Sequence, residues 1–121
     1  MDGPETRALK IKPKCKFWLE NEQEVVFGAG RMALLQAIDE LGSINQAAAK
    51  LKMSYRAAWG KIKTAEERLG FKLINKYIGG TASGSELTPE AKELMIAYAE
   101  FSEESVKAVE EIFARCFKSF M

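Results

Sequence analysis

The sequence predicts a mainly α-helical fold with a small β component, and three observations lead to this fold class. Two capped helical segments, joined by a very short turn, occupy the middle of the chain. A segment typical of a β-hairpin lies on each side of this helical centre. A long amphipathic segment closes the chain. With 121 residues, 47% of them hydrophobic, the sequence suits one domain with a core of its own.

The N-terminal part predicts a hairpin. Residues 14–19 alternate weakly between polar and apolar, and residues 24–27 are β-branched and aromatic, so both predict strands. Residues 20–23 have the composition of a turn. Gly28 and Gly30 then interrupt the chain before the first helix.

Helix-capping signals set the limits of the next two elements. Apolar residues recur at helical spacing over 31–41, and Gly42 predicts the C-terminal end of that helix. Ser43 is an N-cap residue and Gln46 lies three residues later, which is a capping box. The second helix therefore runs over about 44–51.

The third helix completes a recognisable motif. Ser54 caps it, and an inward stripe continues to Leu69, just before Gly70. Two helices joined by a short turn, with small Ala47 and Ala48 at their crossing, predict a helix-turn-helix. After it, strands over 72–77 and 86–88, around a flexible tip at 79–85, predict a second hairpin, or wing.

The last helix is long for so small a domain. Pro89 occupies the first helical position, and the pattern runs to about Phe117. One apolar stripe passes through Phe101 and Ile112, and a second lies beside it. One small domain covers one stripe, so two stripes predict contact with a second chain.

The predicted fold is therefore a winged helix-turn-helix with an N-terminal β-hairpin and a long C-terminal dimerisation helix. The predicted organisation is a flexible leader over 1–13, the winged domain over 14–88 and the dimerisation helix over 89–121.

Composition excludes several classes of function. The chain contains no histidine, which removes the commonest general base and the commonest metal ligand. Cys15 and Cys116 are too far apart in sequence to suggest a disulfide framework, and we expect a reducing, cytoplasmic location. Cys15 lies between two lysines, which would activate a thiol, but a core-facing strand thiol is the more ordinary interpretation. We predict that the protein is not an enzyme, binds no cofactor or metal ion, and makes no contact with a membrane.

Charge is distributed unevenly although the formal net charge is only +1. Residues 41–65 contain five basic side chains and no acid, whereas the segment from Pro89 onward is acidic. Such a basic middle is typical of a surface that meets phosphate, although an ordinary solvated helix would look the same.

Double-stranded DNA is the predicted partner, because a helix-turn-helix places its third helix, here 54–69, in the major groove. Arg56 has the donors to read a guanine edge. Trp59 either packs on the second helix or lies against sugar and phosphate. The wing over 72–88 either contacts the backbone or is merely mobile. The predicted DNA-binding residues are Ser43, Gln46, Ser54, Tyr55, Arg56, Trp59, Lys61, Lys63, Lys76, Thr81 and Ser83.

Residues 42–48 and 53–59 resemble the DNA-binding domain of the ModE family of molybdate-responsive regulators. The resemblance covers about 14–100 and includes the glycine-rich wing and the Leu87-Thr88-Pro89 exit. It implies a homodimer on operator DNA, paired through the terminal helix. Its implied contacts are Ser43, Gln46, Ser54, Tyr55, Arg56, Lys63 and the wing around Thr81 to Ser83. The segment 66–70 is also similar to LysR-type regulators.

The wing departs from the ModE pattern, since Ala82, Ser83, Ser85 and Glu86 interrupt the glycines. No segment resembles the family's molybdate-binding module. We therefore expect one of three arrangements. The chain is the DNA-binding half alone, or it senses a signal other than molybdate, or its effector acts through a separate sensing protein. The alternative function is a winged-helix protein-interaction module that does not bind DNA sequence-specifically and uses the acidic terminal helix.

Overall fold

A computed structural model describes residues 9–77 and 84–121. The chain divides into two compact units, one made by residues 17–98 and the other by 1–16 with 99–121. The larger unit contains two hairpins and three helices, followed by the beginning of a fourth helix. The mainly helical winged helix-turn-helix architecture is as the sequence predicts.

The first hairpin pairs β1 (Trp18–Asn21) with β2 (Glu24–Gly28) in antiparallel register. Its two turn residues, Glu22 and Gln23, both have positive φ (51° and 73°), which is the backbone of a tight two-residue turn. The prediction of a strand over residues 14–19 was wrong in its placement. The strand begins at Trp18 because only that segment lies opposite β2 across the turn.

Three helices follow, namely α1 (Ala29–Leu41), α2 (Ile44–Lys50) and α3 (Tyr55–Leu69). Gly42 and Gly70 end α1 and α3 in the left-handed conformation, with φ of 72° and 85°, as their sequence positions predict. The prediction that Gly30 interrupts the chain was wrong. Gly28 is the N-cap of α1, so Gly30 lies inside the first turn of that helix.

The wing is formed by β3 (Ile74–Tyr77) and β4 (Gly84–Leu87), paired antiparallel. Both strands differ from the prediction, since β3 starts two residues late and β4 already includes Gly84 and Ser85. Ser85 is buried and donates its backbone N–H to the Gly42 carbonyl at 3.0 Å. This contact places Ser85 in the body of the domain rather than in the predicted loop.

The fourth helix, α4, runs from Pro89 to Cys116, and a short 3-10 turn follows at Lys118–Phe120. Thr88 precedes it and accepts a hydrogen bond from the Ala91 backbone N–H on its hydroxyl at 3.0 Å. The predicted start at a capped proline is confirmed. The helix ends one residue before the predicted Phe117.

The core of the larger unit lies between α1, α2, α3 and the two hairpins. Phe27 and Ile38 are fully buried at its centre, and Ala47, Ala58 and Ala65 are the small residues that let the three helices approach closely. Phe27 contacts the Tyr98 ring edge-on at a centroid distance of 5.2 Å. The Tyr98 hydroxyl donates to the Phe17 carbonyl at 2.8 Å.

Candidate nucleic-acid interface

The exposed face of α3 is the centre of the candidate site. Ala58, Ile62 and Ala65 are buried on its inner side, so the opposite side of the helix carries Arg56, Gly60 and Lys63 toward solvent. Tyr55 is 42% exposed at the first position of the helix. The sequence-predicted recognition helix therefore presents a basic N-terminal half.

Arg56 is exposed and makes no hydrogen bond or ion pair with any residue of 9–77 or 84–121. Its guanidinium carries five N–H donors in a planar fork, which matches the two acceptors on the major-groove edge of guanine. Within the described part of the chain, this guanidinium is available for such a ligand without first breaking a hydrogen bond or an ion pair.

Two serines fix the N-termini of the helix-turn-helix. The Ser43 hydroxyl accepts from the Gln46 backbone N–H at 3.1 Å, and the Ser54 hydroxyl accepts from the Ala57 backbone N–H at 3.0 Å. Both capping predictions are confirmed. Gln46 is exposed in the first turn of α2, where the helix dipole favours an anionic group such as phosphate.

We expect Ser43→Ala to lower the free energy of unfolding by about 1 kcal/mol, because the substitution leaves a helix N–H without its partner. Urea denaturation followed by circular dichroism measures this change. The matched control is Ser43→Thr, which keeps the hydroxyl and should cost less. Equal losses for the two variants would contradict the capping role.

Trp59 and Lys63 interact with each other on one flank of α3. Trp59 is half-buried and packs against the core. Its predicted contact with sugar and phosphate stays a prediction. The Lys63 Nζ lies 5.3 Å from the centre of the Trp59 ring and 3.6 Å from the Glu66 Oε1. The Lys63 ammonium is thus held close to the helix surface, although its side chain is 45% exposed.

Lys61 lies on the other flank of α3, with an exposed side chain. Its backbone carbonyl accepts a hydrogen bond from the Arg31 Nε at 3.1 Å, which ties the first turn of α1 to α3. Partial burial lowers the pKa of Arg31 below its ordinary value, and the positive charge of Arg68 nearby adds to this effect. Arg31 and Arg68 are thus neighbouring positive charges at this edge of the domain.

Glu66 positions the start of the wing against α3, a role that the sequence did not predict. One oxygen of its carboxylate, Oε2, accepts from the backbone N–H groups of Leu73 and Ile74 at 2.8 and 3.2 Å. Its side chain is only 10% exposed. The carboxylate connects the C-terminal half of α3 directly to the first wing strand. No sequence signal marks this role, because Glu66 lies in a polar stretch with Glu67 and Arg68 and its partners are backbone groups.

We expect Glu66→Leu to lower the free energy of unfolding by about 1–3 kcal/mol, because two partly buried N–H groups lose their acceptor. Glu66→Gln is the matched control, since its amide oxygen still accepts from both groups while the charge that faces Lys63 is lost. Urea titration of both variants measures the difference. If Gln were as destabilising as Leu, the ion pair rather than the backbone contacts would be the stabilising feature.

Arg68 ties the first hairpin to the end of α3. Its guanidinium donates to the Val25 carbonyl at 2.7 Å and lies 3.7 Å from the Glu24 carboxylate. In return, the Asn21 side-chain amide donates to the Arg68 carbonyl at 2.9 Å. The hairpin is thus a support behind the recognition helix rather than part of the exposed basic face.

The predicted wing contacts are only partly within the described residues. Lys76 lies on β3, opposite Ser85 in the strand register. Glu86 on β4 is exposed. Thr81 and Ser83 lie outside the described residues, so their predicted contacts stay predictions.

The two cysteines form no disulfide with each other. Cys15 and Cys116 are both free and exposed. The interpretation of Cys15 as a core-facing strand thiol was wrong, because residue 15 precedes the first strand and its side chain faces solvent. Among residues 9–77 and 84–121, no group of three or more cysteine or acidic side chains is placed to hold a metal ion.

The fold and the exposed basic α3 together define the class of protein, a winged helix-turn-helix of the kind found in transcriptional regulators. Two solved structures share the fold. The CbnR DBD–DNA complex is 20% identical and covers 72% of this chain and 95% of that one, with a TM-score of 0.53. Vibrio fischeri DarR in complex with DNA is 18% identical and covers 68% of this chain and 27% of that one, with a TM-score of 0.51.

The family model described as bacterial regulatory helix-turn-helix protein, lysR family, matches residues 30–92. Since this is just over half of the chain, the chain belongs to that family. None of the helices in the described part of the chain is long and apolar enough to cross a membrane.

Curated relatives share the helix-turn-helix segment, and they include members of the ModE family that the sequence resembles. The molybdenum-pterin-binding protein MopB of Rhodobacter capsulatus is 40% identical over 72 residues, which cover 59% of this chain and 27% of that protein. The transcriptional regulator ModE of Haemophilus influenzae is 33% identical over 78 residues, covering 64% and 31%. The similarity to ModE and MopB is thus confirmed for the helix-turn-helix region, which spans less than a third of those proteins.

Proposed function

We propose that this protein is a homodimeric transcriptional regulator that binds operator DNA with α3 in the major groove and the wing on the backbone. The observation that carries the proposal is the Arg56 guanidinium on the exposed side of α3, which has no hydrogen-bond or ion-pair partner among the described residues. Family membership and the fold shared with regulators solved on DNA support it. Tyr55 precedes Arg56 at the first position of α3, and the exposed Gln46 of α2 is a further proposed contact.

The pairing of two chains rests on the exposed apolar side of α4. Phe101 and Ile112 are 49% and 50% exposed. They are eleven residues apart, so they lie within about 20° of each other around the helix axis. Ser105 and Ala108 lie between them and are small enough to admit another helix. A second copy would cover this stripe by laying its own α4 along it.

A palindromic operator follows from the proposed symmetry. Two copies of α3 would enter successive major grooves, so the half-sites should lie about one or two helical turns apart. Selection of bound sequences from random duplex DNA by the purified protein tests this expectation. An enriched pair of inverted half-sites would support the proposal, and an unenriched pool would oppose it.

Salt dependence separates DNA binding from a protein-docking function. If α3 and the wing meet phosphates, operator affinity should fall by orders of magnitude between about 50 and 200 mM salt. Fluorescence anisotropy with a labelled operator measures this slope. No binding at low salt would instead favour protein docking through the acidic α4.

The regulatory input is proposed to come from outside the helix-turn-helix. The ModE and MopB proteins carry molybdenum in their names, but their matched segment is less than a third of their length. We propose a separate effector-sensing protein as a further partner and a cytoplasmic location for the complex. Operator affinity measured with and without molybdate should therefore be the same. A molybdate-dependent change would show that this chain senses the anion itself.

A further inference from the structure

Gly60 lies in the second turn of α3, on its exposed side. Arg56 precedes it by four residues and Lys63 follows it by three, so the three residues share one face of the helix. Glycine in a helix interior is less favourable than alanine, because the backbone of a glycine loses more conformational entropy when the chain folds. The presence of glycine here therefore requires a reason.

Within residues 9–77 and 84–121, the fold supplies none of the usual reasons for a glycine at this position. Among the described glycines, positive φ occurs only at Gly42 and Gly70, so Gly60 has an ordinary helical backbone. Apart from its chain neighbours and the backbone of its own helix, a Cβ added to Gly60 would meet no described atom within 4 Å. No tight internal packing therefore needs the missing side chain. The helix also continues without interruption from Tyr55 to Leu69, so Gly60 does not mark a break.

We infer that Gly60 is a specificity-determining residue, where the α3 backbone comes into van der Waals contact with the edge of a base pair in the major groove. The inference rests on the proposed function. It adds a second contact with the bases, at Gly60, to the one proposed for Arg56. When the Arg56 guanidinium reaches a base edge, the helix surface around Gly60, one turn later, is brought close to the floor of the major groove. A side chain at residue 60 would hold that surface away.

The experiment measures thermal stability and operator affinity for Gly60→Ala and Gly60→Leu. We expect Gly60→Ala to raise Tm by about 2–5 °C, because alanine favours the helix. The same variant should bind the selected operator about tenfold more weakly, since an added methyl group overfills a close contact. Gly60→Leu should fold normally and lose about a hundredfold or more.

Gly30→Ala is the matched control. Gly30 also lies in a helix, and an added Cβ there would likewise meet nothing within 4 Å, but it belongs to α1. This variant should leave operator affinity unchanged. A loss at Gly60 without a loss at Gly30 would assign the effect to the α3 surface.

Three results would overturn the inference. Wild-type affinity in Gly60→Leu would show that nothing approaches this position. Equal losses for alanine and leucine would point to altered helix dynamics rather than to contact. An equal loss on random-sequence DNA would place the contact at the phosphates instead of a base edge.

Failure of the proposed function has a different signature. If the wild-type protein enriches no DNA sequence, DNA reading itself is wrong. If Arg56→Ala weakens operator binding while Gly60→Leu does not, DNA reading stands and only the role of Gly60 fails.

Discussion

Ile112→Glu is expected to separate the homodimer into monomers and to weaken operator binding by about 10²–10⁴-fold. Half of the Ile112 side chain is exposed on the apolar side of α4. In the proposed pair it would be buried against the partner helix, where an unpaired carboxylate is strongly unfavourable. A monomer reads a single half-site and loses the effective concentration gained by linking two readers.

Light scattering at micromolar concentration measures the mass of the particle, and anisotropy measures the affinity for the operator. Ile96→Glu is the matched control, because Ile96 is 62% exposed on the same helix but lies about 160° away from Ile112 around its axis. We expect Ile96→Glu to remain dimeric and to bind DNA as the wild type does. A dimeric Ile112→Glu variant would refute pairing through this side of α4.

Arg56→Ala is expected to weaken operator binding by about 5- to 150-fold, which corresponds to about 1–3 kcal/mol, and to relax preference at one base pair of each half-site. The fold should be unaffected, because the Arg56 side chain contacts no described residue through hydrogen bonds or ion pairs. Repeating the sequence selection with the variant reveals the relaxed position.

Arg56→Lys distinguishes reading from simple charge. Lysine keeps the positive charge but cannot place two parallel donors on one base. We therefore expect Lys to restore the salt dependence of binding while leaving the preference relaxed. Wild-type sequence preference in Arg56→Ala would show that another residue of α3 reads the base.

Local signals were enough to predict the helical part of the fold. Capping serines and terminal glycines act within one helical turn. Gly42 therefore predicted the end of α1 correctly, Ser43 the start of α2, and Ser54 and Gly70 the two ends of α3. The strand limits were less accurate. Strand pairing depends on which distant segment lies opposite, and a weak alternation around Cys15 does not reveal that.

The candidate site likewise contains residues that the sequence predicts and residues that it does not. Exposure of Arg56 follows from helical spacing alone, because the buried stripe of α3 determines the opposite side. Tyr55 lies on the same side as Ile62, and it is exposed at the first position of the helix. The role of Glu66 could not be recognised from spacing, since its partners are the backbone N–H groups of Leu73 and of Ile74 at the start of β3. The role of Arg68 was hidden for a similar reason, because its acceptor is the carbonyl of Val25, 43 residues earlier.

Tyr98 has a consequence for the biosynthesis of this protein. Its ring covers Phe27 and its hydroxyl holds the Phe17 carbonyl, 81 residues earlier in the chain. A nascent chain that has emerged only as far as the wing lacks this cover over the first hairpin. The DNA-reading unit should therefore fold cooperatively only after the ribosome has released Tyr98. An isolated fragment meant to fold alone must include the beginning of α4.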